Sequence, residues 1–450
     1  MLVTQFGRFV AETQYESLPA AVVDAVKIRV LDLITSGLVG HRLGSARQLL
    51  ACLGGEPEAT VWGVGTRYAL RDAVLLNSFL AHSTYLDDGS RYTGGHPSSV
   101  VTPAAIALGE TRHASGREVI VAIAKGYEVF LRLGRALYPS IVARGFQSTA
   151  VLGAVSSAAA CASLLRLDAR QSANALAIAC SLGVGLKEAL RSSGSQPIQV
   201  GRSCEGGVLA ALYAQEGAPG ADTIIENGMA KAFGDGVDLG GAAAGLGTDY
   251  RIFETYIKVH GGCRGNHAPV DLAQDIARDN GVHPDDIERI DIAVDSVTMA
   301  AEIHAPKTGT EAQFSVAFSV AVALVEGDAS VFRYTDAELA DPRVAALMQR
   351  VHVVVDRDLD RGYPDRRGAH GAIVLRGGRR CEGAIGNARG EPEYPLSAAD
   401  VERKFMVHTR DILGARAADV RDAVNALDEL PDVGALARLL VAAEPAAPGA

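Results

Sequence analysis

Apolar positions recur at helical spacing over most of the first half of this chain. Val22, Val26, Val30, Leu33, Ile34 and Leu38 line one face of a helix that opens beside Pro19, where a first turn tolerates proline. The same pattern predicts helices over residues 70–86, 99–111, 117–137, 149–165, 169–190 and 206–216. Several are apolar on most sides, as expected of helices inside a large all-α domain. Residues 59–63, ATVWG, read as a short strand.

The texture changes near Tyr256. Residues 287–294 (IERIDIAV) partly alternate, and 351–356 (VHVVVD) and 372–375 are β-branched runs. Residues 382–386 read as a hairpin strand returning after the turn-like Gly377-Gly378. Helices are expected between them, over 269–279, 310–326 and 336–349. After Pro395 the helical texture returns. Ser397 is placed to N-cap a helix carrying Val401 and Phe405, and another helix is expected over 419–441. The closing EPAAPGA reads as a frayed tail. The pattern predicts a mainly α fold, a large all-helical domain with a smaller α+β domain.

Composition narrows the class. At 450 residues the chain has room for two or three domains, and 48% hydrophobic against 21% charged residues excludes disorder. Aromatics are only 5%, so Ala and Gly fill much of the apolar quota and the helices should pack closely. A net charge of −10 without a long Lys/Arg run argues against nucleic acid. The six cysteines are far apart, with no C-x-x-C spacing, which fits buried reduced thiols in a cytoplasmic protein. MLVTQFGRFVAETQYES has no apolar signal core. Residues 146–165 are uncharged and long enough to raise a membrane question. Gln147, Ser148, Thr149, Ser156, Ser157 and Ser163 interrupt them, so a helix buried in a bundle fits better and no membrane partner is expected.

Two stretches carry candidate chemistry. In residues 75–110 an apolar helix runs into Asp87 and Asp88, then a Gly-rich loop, then His96-Pro97-Ser98-Ser99 and a second apolar helix. Two acids, an imidazole and two hydroxyls thus meet at one helix–helix junction, and loops held by rigid elements are where function concentrates. Residues 256–273 (YIKVHGGCRGNHAPVDLA) hold Lys258, Arg264 and His267. Neither a metal-ligand spacing, nor a phosphate-binding loop, nor a dinucleotide fingerprint is found, so neither metal nor cofactor is expected.

The pattern NSFLAHxxxLDD…GGHPSSVVxPAAIALGE resembles the MmgE/PrpD family, which includes 2-methylcitrate dehydratase, cis-aconitate decarboxylase and iminodisuccinate epimerase. GFQSTAVLGAVSSAAACASLLRLD (145–168), residues 256–273, EAQFSVAFSVAVALVEGD (311–328) and ARGEPEYPLSAADVERKF (388–405) are similar to further family blocks, in the same order. The resemblance implies a discontinuous helical domain (1–260 and 396–450), with residues 261–395 as an α+β lid. It implies a homodimer, a small-molecule substrate and cofactor-independent lyase chemistry by proton abstraction beside a carboxylate or carbonyl. An epimerase using the same abstraction and a non-catalytic binding homologue are the alternatives. The site is expected between the domains.

Carried over residue by residue, the resemblance makes His96 the leading catalytic candidate, with His267 and Lys258 beside it. Asp87 and Asp88 either orient His96 or cap the loop, and Arg91 is either a substrate clamp or a solvated side chain. Arg264, Ser98, Tyr85, Gln147, Gln196 and Gln199 complete the expected substrate-binding set. Several positions depart from the family pattern: Tyr85 replaces an Asp, Gln147 a His, Gln196 a Lys, Gln199 a His, Gln313 a Lys and Phe318 a Tyr. Each swap exchanges a titratable group for a neutral or less acidic one, and Gln takes no proton at neutral pH. Either the substrate is less anionic than a tricarboxylate, or the ancestral chemistry is lost.

Overall fold

The computed structural model describes residues 1–192 and 194–441; the closing EPAAPGA lies outside them. The chain forms two compact units. The first comprises Met1–Ser83, Asp87–Thr255 and the segment from Ser397 onward; the second comprises Thr84–Leu86 and Tyr256–Leu396.

The first unit is helical. At its centre lies Ser148–Leu164, in which every residue but Ser163 is buried. Around it pack Gly116–Leu137, Ser195–Gln215, Ser98–Arg112 and Ala169–Ala179. Among the described residues no helix is long and apolar enough to cross a membrane. The segment that raised that question is surrounded by protein.

Helix ends differ from the periodicity where glycine serves packing rather than chain breaking. The expected helix over 206–216 starts at Ser195, running through Pro197, Gly201 and the Gly206-Gly207 pair. A Cβ on Gly201 would lie 2.7 Å from the Leu75 carbonyl oxygen, and one on Gly207 2.4 Å from Ser157 Cβ. The expected helix over 169–190 stops at Ala179. The chain then turns so that Gly183 comes against the backbone of Ala150, where a Cβ would lie 2.7 Å from its oxygen. An unexpected helix, Leu2–Glu12, lays Gly7 on the backbone of Ala169 and Ala173. The helix expected over 70–86 ends at His82. The helix expected over 419–441 is three pieces, Arg416–Asn425, Leu427–Glu429 and Gly434–Leu439, with Pro431 before the last.

Ser397 caps Ala398–Leu413 through a reciprocal pairing with Asp400. That helix packs on Ala20–Arg42, where Lys404 Nζ meets Asp32 Oδ1 at 2.5 Å inside the core.

The second unit is built on a four-stranded mixed sheet. Its strands are β1 (Ile287–Val294), β2 (Val351–Val355), β3 (Ala369–Leu375) and β4 (Arg380–Ile385), in the order β2-β1-β3-β4. β1 and β2 are parallel, so the chain between them must cross over; the other pairings are antiparallel. Helix His267–Asn280 packs on β3 and β4, and Val316–Glu326 on β2. Val270, Leu272, Ile276, Ile290, Ile292, Phe318 and Ile373 form the core between them. The hairpin turn is Gly377-Gly378, both left-handed (φ 100° and 88°), a conformation that favours glycine. The expected helix over 310–326 is split, because Ser315 accepts from the Phe318 N–H and starts a new helix after Gly309–Ala312.

Candidate active site

The loop between helices Leu70–His82 and Ser98–Arg112 folds back on itself. Ser90 and Gly95 pair as an isolated bridge, which returns His96 toward the acids. Asp87 is buried. Its Oδ2 accepts from Ser99 Oγ at 2.5 Å and faces His82 Nδ1 at 2.7 Å; its Oδ1 lies 3.5 Å from His96 Nδ1. The two imidazole rings are 5.1 Å apart, edge to face. His96 Nδ1 also faces the Asp88 carbonyl oxygen at 2.5 Å. Both atoms facing Nδ1 are acceptors, so the neutral ring carries its proton there and its lone pair on Nε2. His82 and Asp87 are shut away, whereas the His96 side chain keeps 19% of its surface accessible.

Asp88 plays a different part. Its Oδ1 accepts from the Ser98 N–H (3.1 Å) and Ser98 Oγ (2.5 Å), and its Oδ2 from Tyr127 Oη (2.8 Å). Complete burial pushes its carboxyl up to about 6, against the downward pull of Ser98, Arg29 and Tyr127. Burial, and then the Asp88 charge, hold the Tyr127 phenol well above its ordinary range, so it stays a donor. Asp88 thus satisfies the first N–H of helix Ser98–Arg112 from outside the helix and ties the loop to helix Gly116–Leu137. Arg91 is buried, which removes the solvated reading; its guanidinium lies 5.8 Å from the Tyr92 ring centre.

The three glutamines join the same cluster from other helices. Gln147 Nε2 lies 3.2 Å from His82 Nε2, and Gln196 Nε2 also meets that atom. Gln199 Nε2 donates to Gln147 Oε1.

Lys258, Arg264, His267 and Tyr85 lie in the second unit. Lys258 is buried and donates to the Tyr85 carbonyl at 2.6 Å. Tyr85 has left-handed backbone (φ 53°), and its ring sits edge-on to Phe314. Arg264 is held by Glu391 (Nε to Oε1, 2.7 Å) and lies over the Tyr256 ring. His267 is buried 5.3 Å from the His260 ring. His260 Nε2 in turn faces Asp271 Oδ1 at 2.9 Å. Burial alone would raise the Asp271 carboxyl, but the His260 bond and the Arg389 charge bring it down to about 2.

His82, Asp87 and His96 offer ligand-type atoms within 4.8 Å of one another, close enough for one divalent ion. The amide on His82 Nε2 favours a proton on Nδ1, the atom that faces Asp87, so the set reads as a hydrogen-bonded triad. Glu326, Glu338 and Asp341 form a similar group, but Arg333 and Arg343 already pair with those carboxylates.

Sequence models of the MmgE/PrpD N-terminal and C-terminal domains match residues 4–241 and 260–429. The chain belongs to the MmgE/PrpD family. It is 27% identical to cis-aconitate decarboxylase of Aspergillus terreus, over 94% of this chain and 93% of that protein. It is 25% identical to the cis-aconitate decarboxylase-like protein oryM of Aspergillus oryzae, over 98% and 97%. At family level this makes it an enzyme of the lyase type.

In this MmgE/PrpD chain, sequence reasoning did not single out His82, Ser99 as the partner of Asp87, or Tyr127. His82 stood inside the quoted motif, but as the last residue of an apolar helix it reads as a core residue. Tyr127 is distant in sequence, and nothing in its neighbourhood marks it.

Proposed function

We propose that this protein is a cofactor-independent lyase that removes a proton beside a carboxylate or carbonyl of a small substrate, with His96 as the base. The observation that carries this is the hold of the Asp88 carbonyl on His96 Nδ1, with Asp87 Oδ1 3.5 Å away, on the most accessible ring of an otherwise buried triad. A proton held on Nδ1 leaves the basic lone pair on Nε2, and the facing Asp87 carboxylate and Asp88 carbonyl stabilise the imidazolium once the substrate proton is taken. The electron pair left on carbon then expels water or another leaving group. Lys258, Arg264 and His267 are candidates for the remaining binding and acid–base roles on the family resemblance. We also propose a cytoplasmic homodimer with no nucleic-acid partner, on composition and family likeness.

The test is His96→Asn, which keeps size and a hydrogen-bonding group but cannot titrate. The substrate is found by incubating carboxylates, hydroxy acids and amides in deuterated water. A lyase changes the product's mass by the leaving group; an epimerase takes up deuterium at constant formula. Turnover by His96→Asn should fall at least ~10²-fold, the scale of losing a general base, with an unchanged Tm. An active variant would move the base elsewhere, and an unfolded one would make His96 a structural residue.

A further inference from the structure

His82 ends helix Leu70–His82, is buried, and takes no direct step in the chemistry above. Its ring nitrogens face opposite demands. Nδ1 faces the Asp87 carboxylate, which can only accept. Nε2 faces the side-chain amides of Gln147 and Gln196, which can donate or accept depending on which way each is turned. The two ends of an amide are alike in shape, so the partners decide its orientation.

Those partners can be followed to a fixed point. The Leu186 N–H donates to Gln199 Oε1 at 2.9 Å, and Gln199 Nε2 donates to the Leu186 carbonyl at 3.2 Å. A backbone N–H only donates and a backbone carbonyl only accepts, so Gln199 has one possible orientation. Leu186 is itself held in register. It bridges Phe146, flanked by bonds from Gln147 N to Gly185 O (2.9 Å) and from Lys187 N to Gly145 O (2.8 Å). Gly185 leaves room for the amide, since a Cβ there would come 2.8 Å from Gln199 Cδ. Gln199 Nε2 also donates to Gln147 Oε1, so Gln147 must turn its NH₂ to His82. Gln196 also presents its Nε2 to that atom, so Nε2 of His82 accepts and its proton lies on Nδ1.

We propose that Leu186, Gln199, Gln147 and His82 form a directional hydrogen-bond relay that fixes the ring proton of His82 on Nδ1, aimed at Asp87. Gln147 and Gln199 are positioning residues. They act through His82 to hold Asp87 Oδ2, which leaves Asp87 Oδ1 turned to His96 Nδ1. The functional consequence rests on the acid–base reading of the triad; the tautomer does not.

The test reads the tautomer directly. Protein labelled with ¹⁵N-histidine gives a distinct signal for an unprotonated ring nitrogen, and the His82 signals are assigned by their loss in His82→Gln. In the parent, the unprotonated signal should belong to Nε2. Gln147→Glu replaces the donor by an acceptor and should move a proton onto Nε2. Gln199→Met, which is isosteric and buries no charge, should release Gln147 and produce a mixed or reversed tautomer. A protonated Nε2 in the parent would overturn the relay, as would an unchanged tautomer in both variants. No substrate is needed. If the tautomers behave as expected while His96→Asn stays active, the proposed function fails and the relay stands.

Discussion

At the scale of single residues, Asp88 shows burial outweighing hydrogen bonds. Three donors reach its carboxylate, yet its titration rises to about 6. The folded protein therefore binds a proton more tightly than the unfolded chain between about pH 4 and 6, and this group's contribution to stability falls as pH rises through that window. Asp88→Asn carries no such charge. Its stability relative to the parent, read as the Tm difference, should therefore be lowest near pH 4 and improve above pH 6, by on the order of 3 kcal/mol of unfolding free energy at most. A Tm difference that is flat from pH 4 to 7 would show that Asp88 titrates normally. The glutamines set a second expectation at this scale. Neutral side chains stand where the family resemblance leads one to expect ionisable groups, so 2-methylcitrate and cis-aconitate should be poor substrates. Turnover of either at about 1 to 10³ per second would refute this.

At the scale of elements, the first unit depends on helices approaching closely at small residues. Gly207 in helix Ser195–Gln215 is the clearest case. In an exposed helix, replacing Gly by Ala stabilises by about 1 kcal/mol. Here the new methyl would meet Ser157 Cβ at 2.4 Å and the Ala154 carbonyl oxygen at 2.5 Å. Overpacking of this kind typically costs 1–3 kcal/mol. Gly207→Ala should therefore lower Tm, a sign opposite to helix propensity. A thermal melt showing equal or greater stability would mean the two helices can part without loss.

At the scale of the whole molecule, the first unit is assembled from chain segments on both sides of the second. Val401, Phe405 and Leu413 of helix Ala398–Leu413 are buried, and Lys404 neutralises a buried Asp32 on helix Ala20–Arg42. A chain ending at Leu396 would expose the surface they cover and leave Asp32 unpaired in the interior, a strongly destabilising change. That truncation should yield insoluble or molten protein by circular dichroism and dye binding. A cooperative melt near the parent's temperature would show that the first unit is complete without the return.

The sequence by itself determined the mainly helical class, the smaller α+β part, the strands at 287–294 and, to within one residue, 351–356, the Ser397 cap and the family. Those features are written in local periodicity, turn chemistry and contiguous motifs. It also brought Asp87, Asp88, His96 and Ser98 together, because they share one short loop. Tertiary structure decided the rest. Glycines that look like breakers are contact points, visible only once the facing helix is in place. His82, Tyr127 and Gln199 come from separate helices, and their bonds to Asp87, Asp88 and Gln147 depend on packing across long stretches of chain. Arg264 reads as a substrate-binding cation until the fold supplies Glu391, because no local pattern records which partner a side chain will meet.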